Sequence, residues 1–268
     1  VPPSGKPLKF DFDGYVLNRV VHDEFLVELA KESGAEYLVN SRVDKVEENS
    51  VILRNGDTYT AKVIVDAGGH NGVIRRDYWT EESTKIPVKF VLMDGDFGEA
   101  VELHFGSMAP GGYAWMFPKS SGANIGLGIQ RSFSKGKNLN QYTEEFVAKY
   151  DGEITFNGAG SLPMSGTIKK FVKGNYVLVG DAAGMVLPSN GAGITIAMIG
   201  GRIAGNVIAE HLKSGLPLEE YEKIWKKQMG KVMANSKRSF KIGSLLFRLP
   251  DWILNMMFNR LTKGIIWR

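Results

Sequence analysis

A run of small residues in the second half of the chain has the composition of a ligand-binding loop. Residues 176–198 read YVLVGDAAGMVLPSNGAGITIAM, which predicts an apolar strand, an acid in a tight turn, a loop with Pro188 and paired glycines, and an apolar helix. Because the first N–H groups of a helix lack partners and carry the positive end of its dipole, a helix starting at Gly191 points donors into the loop. Because no side chain at this helix start is larger than that of Ala192, a ligand can approach the main chain. We therefore expect the loop to bind an anion or a polarisable ring.

Asp181 follows the predicted strand 176–179, where its carboxylate is placed to accept hydrogen bonds from the hydroxyl groups of a ligand. The alternative is an ordinary strand-to-helix turn with an N-terminal acid and no ligand. The complete run, with its proline and glycines at set distances, favours the ligand. The candidate binding residues of this loop are Gly180, Asp181, Pro188, Gly191, Ala192, Gly193 and Ile194.

Three aromatic residues alternate with smaller or more flexible ones elsewhere in the chain. Tyr113, Trp115 and Phe117 are separated by Ala114 and Met116, and this period of two places the three rings on one face of a strand. Such a face could form the wall of an apolar pocket, and the same spacing also occurs in the ordinary core of a sheet.

The remaining pattern predicts the elements that position these residues. We expect two short strands within 9–19, a helix over 22–33, a strand at 37–39, and strands with a hairpin between 43 and 61. A continuous apolar strand over 63–67 is expected to be buried on both faces. We interpret Asp66 at its end as the cap of a turn. Arg75 and Arg76 are interpreted as surface charges, with the alternative that one of them lies near the edge of a bound cofactor.

Between about residues 87 and 163, apolar residues recur with a period of two. There we expect an antiparallel sheet with one helix near 140–150. The helix after Gly191 is expected to run to His211, followed by a helix over 218–236 and a helical tail broken at Pro250. The fold class is therefore mixed α+β and α/β, with an antiparallel sheet inserted into a parallel domain.

Composition excludes several classes of function. The chain has 268 residues, 43% of them hydrophobic, and no Cys, so disulfides and thiolate metal sites are absent. The four His residues show no ligand spacing, and we expect no metal. There is no G-x-S-x-G hydrolase motif, no nucleic-acid recognition motif, and no apolar stretch long enough to span a membrane. We expect a cytoplasmic protein.

The basic residues are concentrated at the C-terminal end. From Lys223 to Arg268 there are eleven Lys or Arg residues and one acid, Asp251, although the net charge of the whole chain is only +4. This block indicates either a solvated helix face or, because large apolar residues alternate with the charges, a surface attracted to anionic lipid headgroups. Those apolar residues are Phe240, Leu245, Leu246, Phe247, Trp252, Ile253, Met256, Met257, Phe258 and Trp267.

Four segments, in this order along the chain, resemble those of FAD enzymes with the p-hydroxybenzoate hydroxylase type of fold, and more closely those of the geranylgeranyl reductase family. Residues 15–47 resemble the segment in which an arginine, here Arg19, meets the flavin. Residues 63–76, VIVDAGGHNGVIRR, are similar to a strand followed by a glycine turn. Residues 110–130, PGGYAWMFPKSSGANIGLGIQ, resemble the signature of the reductase branch, and the loop after Asp181 resembles the second flavin motif.

The resemblance implies an FAD-dependent reductase that transfers hydride from reduced flavin to carbon–carbon double bonds of geranylgeranyl chains in isoprenoid or archaeal-type membrane lipids. It implies flavin contacts by Arg19 and by the loop from Gly180 to Ile194. Tyr113 and Trp115 then become catalytic candidates, and together with Phe117 they become substrate-binding candidates. The implied partners are a prenyl lipid and an electron donor such as NAD(P)H or ferredoxin. The basic C-terminal segment, independently of the resemblance, adds an anionic membrane surface to which the protein could bind peripherally.

The family also has an N-terminal G-x-G-x-x-G segment and a cysteine motif, and neither is present in these residues. We interpret the chain as the later part of an FAD-binding domain. We expect it to bind FAD weakly on its own, because the loop that binds the pyrophosphate contributes much of the affinity. Two alternatives remain open. One is a flavin-dependent aromatic monooxygenase or halogenase on the same fold, and the other is a non-catalytic fragment that binds isoprenoids or membrane surfaces.

The predicted division has four parts. We expect a partial FAD-binding domain over 1–84, the antiparallel substrate sheet over 85–165, the flavin loop and its helix over 166–215, and a basic helical region over 216–268.

Overall fold

A computed structural model describes residues 1–11, 13–134 and 136–264 of the chain. Phe12, within the predicted N-terminal strands, and Trp267, within the basic tail, lie outside this described part.

The structure contains six helices and eleven strands within the described residues. The helices are α1 Arg19–Glu32, α2 Val73–Tyr78, α3 Leu139–Val147, α4 Ile194–Ser214, α5 Glu220–Leu246 and α6 Asp251–Gly264. The strands are β1 Val43–Glu47, β2 Ser50–Leu53, β3 Thr58–Thr60, β4 Ile64–Asp66, β5 Lys85–Asp94, β6 Glu102–His104, β7 Tyr113–Lys119, β8 Gly122–Gly128, β9 Glu153–Pro163, β10 Val172–Lys173 and β11 Tyr176–Leu178.

The chain divides into two compact units. The first unit comprises Val1–Tyr37, Ile86–Ser161 and Gly243–Arg268, and the second comprises Leu38–Lys85 and Leu162–Ile242. Each unit is therefore assembled from segments that are distant in sequence.

The second unit contains a small sheet in the order β10-β11-β4, in which β11 and β4 are parallel. Val177 and Leu178 of β11 are completely buried, and α4 and α5 contribute Ile203 and Trp225 to the same hydrophobic core. A separate antiparallel sheet, β1-β2-β3, forms the predicted hairpin. Because β4 and β11 run in the same direction, the turns that follow them leave the sheet at the same edge.

The first unit is built on a five-stranded sheet in the order β6-β7-β8-β5-β9. The β5–β8, β8–β7 and β7–β6 pairs are antiparallel, as the period of two predicts. Helix α3 begins with a capping box formed by Asn138 and Gln141. Its Phe146 packs with Ile125 and Leu127 of β8 in one hydrophobic core. All three side chains are completely buried.

Several predicted elements differ from the structure. The described residues between 9 and 18 and the segment 37–39 form no strands, because no neighbouring strand pairs with them there. The strand prediction at β4 is confirmed, but Val65 is 43% exposed, so the strand is not buried on both faces. Helix α1 is confirmed, yet none of its residues is buried. Helix α5 continues ten residues beyond the predicted end at Ser236.

The predicted absence of a membrane-spanning segment can be compared with the helices directly. Across the described residues, none of the helices combines the length and the apolar character that crossing a bilayer requires.

A half-buried polar cluster joins β6 to the residues just after α3 in the first unit. One carboxylate oxygen of Glu102 lies 2.7 Å from the Tyr150 hydroxyl, which donates to it, and 2.8 Å from Nε2 of His104. Burial raises the pKa of Glu102, but the hydrogen bonds from His104 and Tyr150 outweigh burial and hold that pKa below its ordinary value. Burial lowers the pKa of His104, and Glu102 opposes this only in part.

We predict that acid destabilises the first unit through this cluster. Because the pKa of His104 is lower in the folded state, the unfolded state binds more protons, so the free energy of unfolding falls as the pH drops below about 6.5. Loss of the Glu102 contribution follows at lower pH. The fall in Tm between about pH 7.5 and about pH 5.5 should be smaller in His104→Gln, as measured by thermal unfolding. His22→Gln, at a histidine on α1, is the control, and an unchanged pH slope in His104→Gln would contradict the prediction.

Candidate functional site

The turn after β4 is folded around the Asp66 carboxylate. One carboxylate oxygen accepts the N–H of Gly68 at 2.8 Å and the other accepts the N–H of Arg75 at 2.9 Å. A side chain at Gly72 could not fit, because its Cβ would lie 2.2 Å from the same carboxylate. Asp66 is therefore the cap of this turn, as the sequence indicates, and it holds the turn at the edge of the β10-β11-β4 sheet.

The turn after β11 lies beside the first one. A 3-10 turn over Gly180–Ala183 carries Asp181, and the N–H of Val179 donates to the carbonyl of Asp66 at 3.1 Å. Burial raises the pKa of Asp181, and the nearby His70 from the first turn opposes that rise. The two strand ends thus bring a half-buried carboxylate and an imidazole into electrostatic reach of each other.

The glycine loop returns to the same carboxylate. A Cβ on Gly193 would lie 3.5 Å from a carboxylate oxygen of Asp181, so bare main chain lies against this acid. Helix α4 begins at Ile194, which is three residues later than the predicted start at Gly191. Gly191 has a φ of 74°, and this left-handed conformation cannot belong to a right-handed helix.

Two of the expected donors in the loop are used internally. The N–H of Gly191 donates to the carbonyl of Leu187 at 2.8 Å, and the N–H of Ala192 donates to Oδ1 of Asn190 at 3.1 Å. The donors that a helix start leaves without intrahelical partners therefore begin at Gly193 rather than at Gly191. Ala192 and Ile194 are exposed and Pro188 is buried, so the loop presents its second half to solvent.

A cavity of about 370 Å³ opens beside Asp181 within the second unit. Its polar wall includes His70, Asn71, Arg75 and Lys85. The Lys85 ammonium donates to Oδ1 of Asn71 at 3.2 Å, and burial, Lys85 and Arg75 together hold the pKa of His70 below its ordinary value. The cavity is thus lined by both signs of charge, with the acids Glu81, Glu82 and Asp181 and the bases Arg75, Arg76 and Lys85.

Arg75 was wrongly predicted to be a surface charge. Its side chain is buried, and its guanidinium donates to the carbonyl oxygens of Trp79 and Glu81. It therefore orders the segment after α2 that lines the cavity. Arg76 is exposed and pairs with Asp77, as expected of a surface charge.

The aromatic residues of β7 form one continuous face in the first unit. The Trp115 ring lies with its centroid 5.9 Å from that of Tyr113 and 6.0 Å from that of Phe117. Phe105 and Phe258 extend the row beyond Tyr113, at centroid distances of 6.2 Å and 5.6 Å along it. The residues between the rings, Ala114 and Met116, point into the core on the opposite side of the sheet. The three rings are half-buried, and burial raises the pKa of Tyr113.

Arg19 lies in the first unit at the start of α1. Its guanidinium is exposed and forms a two-pronged ion pair with Asp23, and this hydrogen bonding lowers the pKa of Asp23. The structure brings Gly180, Asp181 and Gly193 together in the second unit, and the three rings together in the first.

The sequence interpretation missed His70 and Lys85 in the cavity. His70 follows β4 as Asp181 follows β11, so the rule that ligands bind at the carboxyl ends of parallel strands could have indicated it. No local signal marks Lys85. Among the described residues, no group of three or more His, Asp and Glu side chains could hold a metal ion.

Comparison with known proteins gives consistent matches. The sequence pattern of the geranylgeranyl reductase catalytic domain matches residues 84–159. A digeranylgeranylglycerophospholipid reductase from Methanocella arvoryzae is 34% identical over 91% of this chain, which spans 67% of that protein.

Solved structures share the fold. A geranylgeranyl bacteriochlorophyll reductase-like protein from Thermoplasma acidophilum superimposes with a TM-score of 0.81 at 25% identity, covering 95% of this chain and 72% of that one. A flavin-dependent halogenase from Brevundimonas gives a TM-score of 0.64 at 17% identity over 81% of this chain and 46% of its own. The second likeness shows the fold alone.

We predict that two glycines with similar backbone angles differ sharply in how much stability is lost when each is replaced by alanine. Gly184 and Gly174 have φ values of 70° and 60°, but a Cβ on Gly184 would lie 2.5 Å from the carbonyl oxygen of Gly166, whereas Gly174 has nothing within 4 Å. Gly174→Ala should cost about 1–2 kcal/mol of unfolding free energy through backbone strain. Gly184→Ala should cost roughly 1–3 kcal/mol more through overpacking. Urea unfolding measures both, and equal losses would refute the steric argument.

Proposed function

The chain belongs to the geranylgeranyl reductase family and is therefore an oxidoreductase, and from this premise we propose that it reduces carbon–carbon double bonds of prenyl chains in isoprenoid or archaeal-type membrane lipids. Bound, reduced FAD supplies the hydride for such a reaction. The single observation that carries the proposal is the Asp181 carboxylate lying against the bare main chain of Gly193.

The residues of the second unit suit the flavin and sugar-alcohol half of FAD. Asp181 provides a half-buried acceptor for hydroxyl groups, and the first turn of α4 provides unpartnered donors. Gly180, Pro188, Gly191, Ala192 and Ile194 shape the loop between them, and the absence of large side chains leaves room for a flat ring. Arg19 is kept as a proposed flavin-binding residue only because its segment resembles that of the family.

These 268 residues contain no G-x-G-x-x-G, which is the motif that holds the pyrophosphate of a dinucleotide on a helix start. The fit therefore covers only part of FAD, and we propose that the chain by itself binds FAD weakly. In the proposed division of the chain, residues 1–84 and 166–215 serve the cofactor, 85–165 the substrate, and 216–268 the basic helical region.

The aromatic face of the first unit suits a prenyl chain. A prenyl chain offers no polar group along its length, so its binding must come from burial of apolar surface against the rings of Tyr113, Trp115 and Phe117. Such a face also excludes water from the double bond. The Tyr113 hydroxyl is protonated at neutral pH and in the proposal is a candidate donor of the proton that the second carbon needs, but burial raises its pKa and so makes it a weaker acid than a free tyrosine.

Each reduced double bond consumes two electrons and two protons in all, so the proposal includes an external reductant, NAD(P)H or ferredoxin. The catalytic candidates are Tyr113 and Trp115, because they belong to the face proposed to hold the reacting bond.

We predict a mass gain of two hydrogens for each double bond when the protein, chemically reduced FAD and a geranylgeranyl lipid are incubated without oxygen and analysed by mass spectrometry. Trp115→Ala should lower the rate by on the order of tenfold, because the wall of the pocket is lost. Tyr59→Ala, at an exposed tyrosine on β3, is the control and should leave the rate unchanged.

Flavin fluorescence during an FAD titration sets the cofactor concentration for this assay, and tight stoichiometric binding would contradict the weak-binding proposal. No mass change in any prenyl lipid at saturating FAD would contradict the reductase proposal. Oxygen-dependent hydroxylation of an aromatic compound instead would indicate a monooxygenase.

We also propose that α6 contacts an anionic membrane surface. Asp251 and Asn255 face the protein, where they accept hydrogen bonds from the N–H groups of Ser107 and Ser4. On an adjacent face, about 100° around the helix, Trp252 is 67% exposed and Met256 is 42% exposed. Exposed tryptophan beside a segment rich in Lys and Arg is typical of helices that lie in the headgroup region.

We predict that Trp252→Ser combined with Met256→Ser lowers co-sedimentation with vesicles containing phosphatidylglycerol several-fold, because apolar insertion is lost. Raising salt from about 0.05 M to about 0.5 M should weaken binding of the unmodified chain through screening. Phe25→Ser, at an exposed residue of α1, is the control. Sedimentation of the double variant equal to that of the unmodified chain would refute the assignment of this face.

A further inference from the structure

The indole of Trp115 is held by a residue on the neighbouring strand. Its Nε1–H donates to the side-chain oxygen of Asn124 on β8 at 2.7 Å. The register pairs Trp115 with Gly126 and Phe117 with Asn124, so Asn124 lies diagonally across from Trp115 on the same face of the sheet.

The six-membered part of the same indole lies over a glycine, through the carbon Cζ2 next to the N–H edge. A Cβ on Gly126 would come within 2.6 Å of Cζ2 of Trp115 and within 2.5 Å of Cβ of Phe90. Any side chain at position 126 would therefore lift the indole from the sheet. Asn124 and Gly126 together allow one orientation, in which the ring lies across β8 with its polar edge directed to Asn124.

This arrangement matters for an apolar ligand because an indole has one polar atom. An N–H group that faces a hydrocarbon chain loses its hydrogen bond to water and gains nothing in return, which costs free energy. With the N–H already bonded to Asn124, the indole presents only carbon to whatever lies on the aromatic face.

We propose that Asn124 is a positioning residue for the prenyl substrate, acting through Trp115 by fixing the indole and satisfying its N–H. This inference rests on the proposed function, since it concerns the same aromatic face. It assigns a role to a residue of the family signature that the sequence alone leaves unexplained.

Asn124→Leu tests the proposal, because leucine has the same number and branching of side-chain heavy atoms and no acceptor. Asn124→Asp keeps an oxygen for the indole N–H and serves as the conservative rescue. Asn140→Leu is the matched control, at an asparagine on α3 whose side chain accepts from Lys89 instead. Asn124→Ala replaces Asn124→Leu if the latter fails to fold, as judged by its thermal unfolding.

The first measurement is the indole N–H signal of Trp115 in a ¹H–¹⁵N spectrum, identified by its disappearance in Trp115→Phe. Asn124→Leu should shift this signal and speed the exchange of its proton, whereas Asn124→Asp and Asn140→Leu should retain slow exchange. An unchanged signal in Asn124→Leu would overturn the proposal without bearing on the reductase activity.

The second measurement is the affinity for geranylgeraniol, which needs no flavin. The Kd should rise on the order of tenfold in Asn124→Leu, as expected for one lost hydrogen bond, and should be restored in Asn124→Asp. Adding Asn124→Leu to Trp115→Phe should have little further effect, because Asn124 acts through the indole. Equal affinity in Asn124→Leu and the unmodified chain, or a full additive loss in the double variant, would overturn the proposal.

The third measurement is prenyl reduction, in which Asn124→Leu should raise KM more than it lowers kcat. If the unmodified chain binds geranylgeraniol with the predicted dependence on Asn124 but reduces no prenyl lipid, the proposed function fails and the positioning role stands. If reduction proceeds and KM in Asn124→Leu is unchanged, the positioning role fails and the proposed function stands.

Discussion

The parallel pairing of β4 with β11 is the constraint on which the second unit depends. Parallel strands deliver their following turns to one edge of a sheet, so the turn capped by Asp66 and the turn carrying Asp181 must lie side by side although 115 residues of sequence separate the two acids. Burial of Val177 and Leu178 fixes this pairing. The proximity of Asp181 to the imidazole of His70 follows from it, and so does the position of the cavity beside them.

Features with a strong local signal could be predicted from the sequence. The alternation around Trp115 identified β7, and the change of period after Pro87 identified the antiparallel sheet of the first unit. The small residues after Asp181 identified a loop of exposed main chain, and Asp66 followed by glycines identified a capped turn. In each case the residue type and its spacing are enough, because the structure that results is made within a few positions of the chain.

Features that depend on hydrogen bonds made only in the folded chain could not be predicted. Arg75 is buried because the carbonyl groups of Trp79 and Glu81 surround its guanidinium, and nothing in its own neighbourhood distinguishes it from the exposed Arg76. The late start of α4 reflects the internal hydrogen bond of Gly191, which a pattern of apolar residues does not show. The role of Asn124 appears only when the register of β7 against β8 is known.

The even spacing of the rings on β7 has a consequence for selectivity along a chain molecule. Neighbouring centroids are 5.9 Å and 6.0 Å apart, and the face offers nearly the same apolar contact at each step. Only a chain molecule whose own repeat matches this spacing would meet a similar ring after a shift of one unit, so even spacing by itself gives little discrimination between successive positions. Choice of one position must therefore come from the differences between the rings, whose planes meet at 60° and 25°, or from groups outside the row.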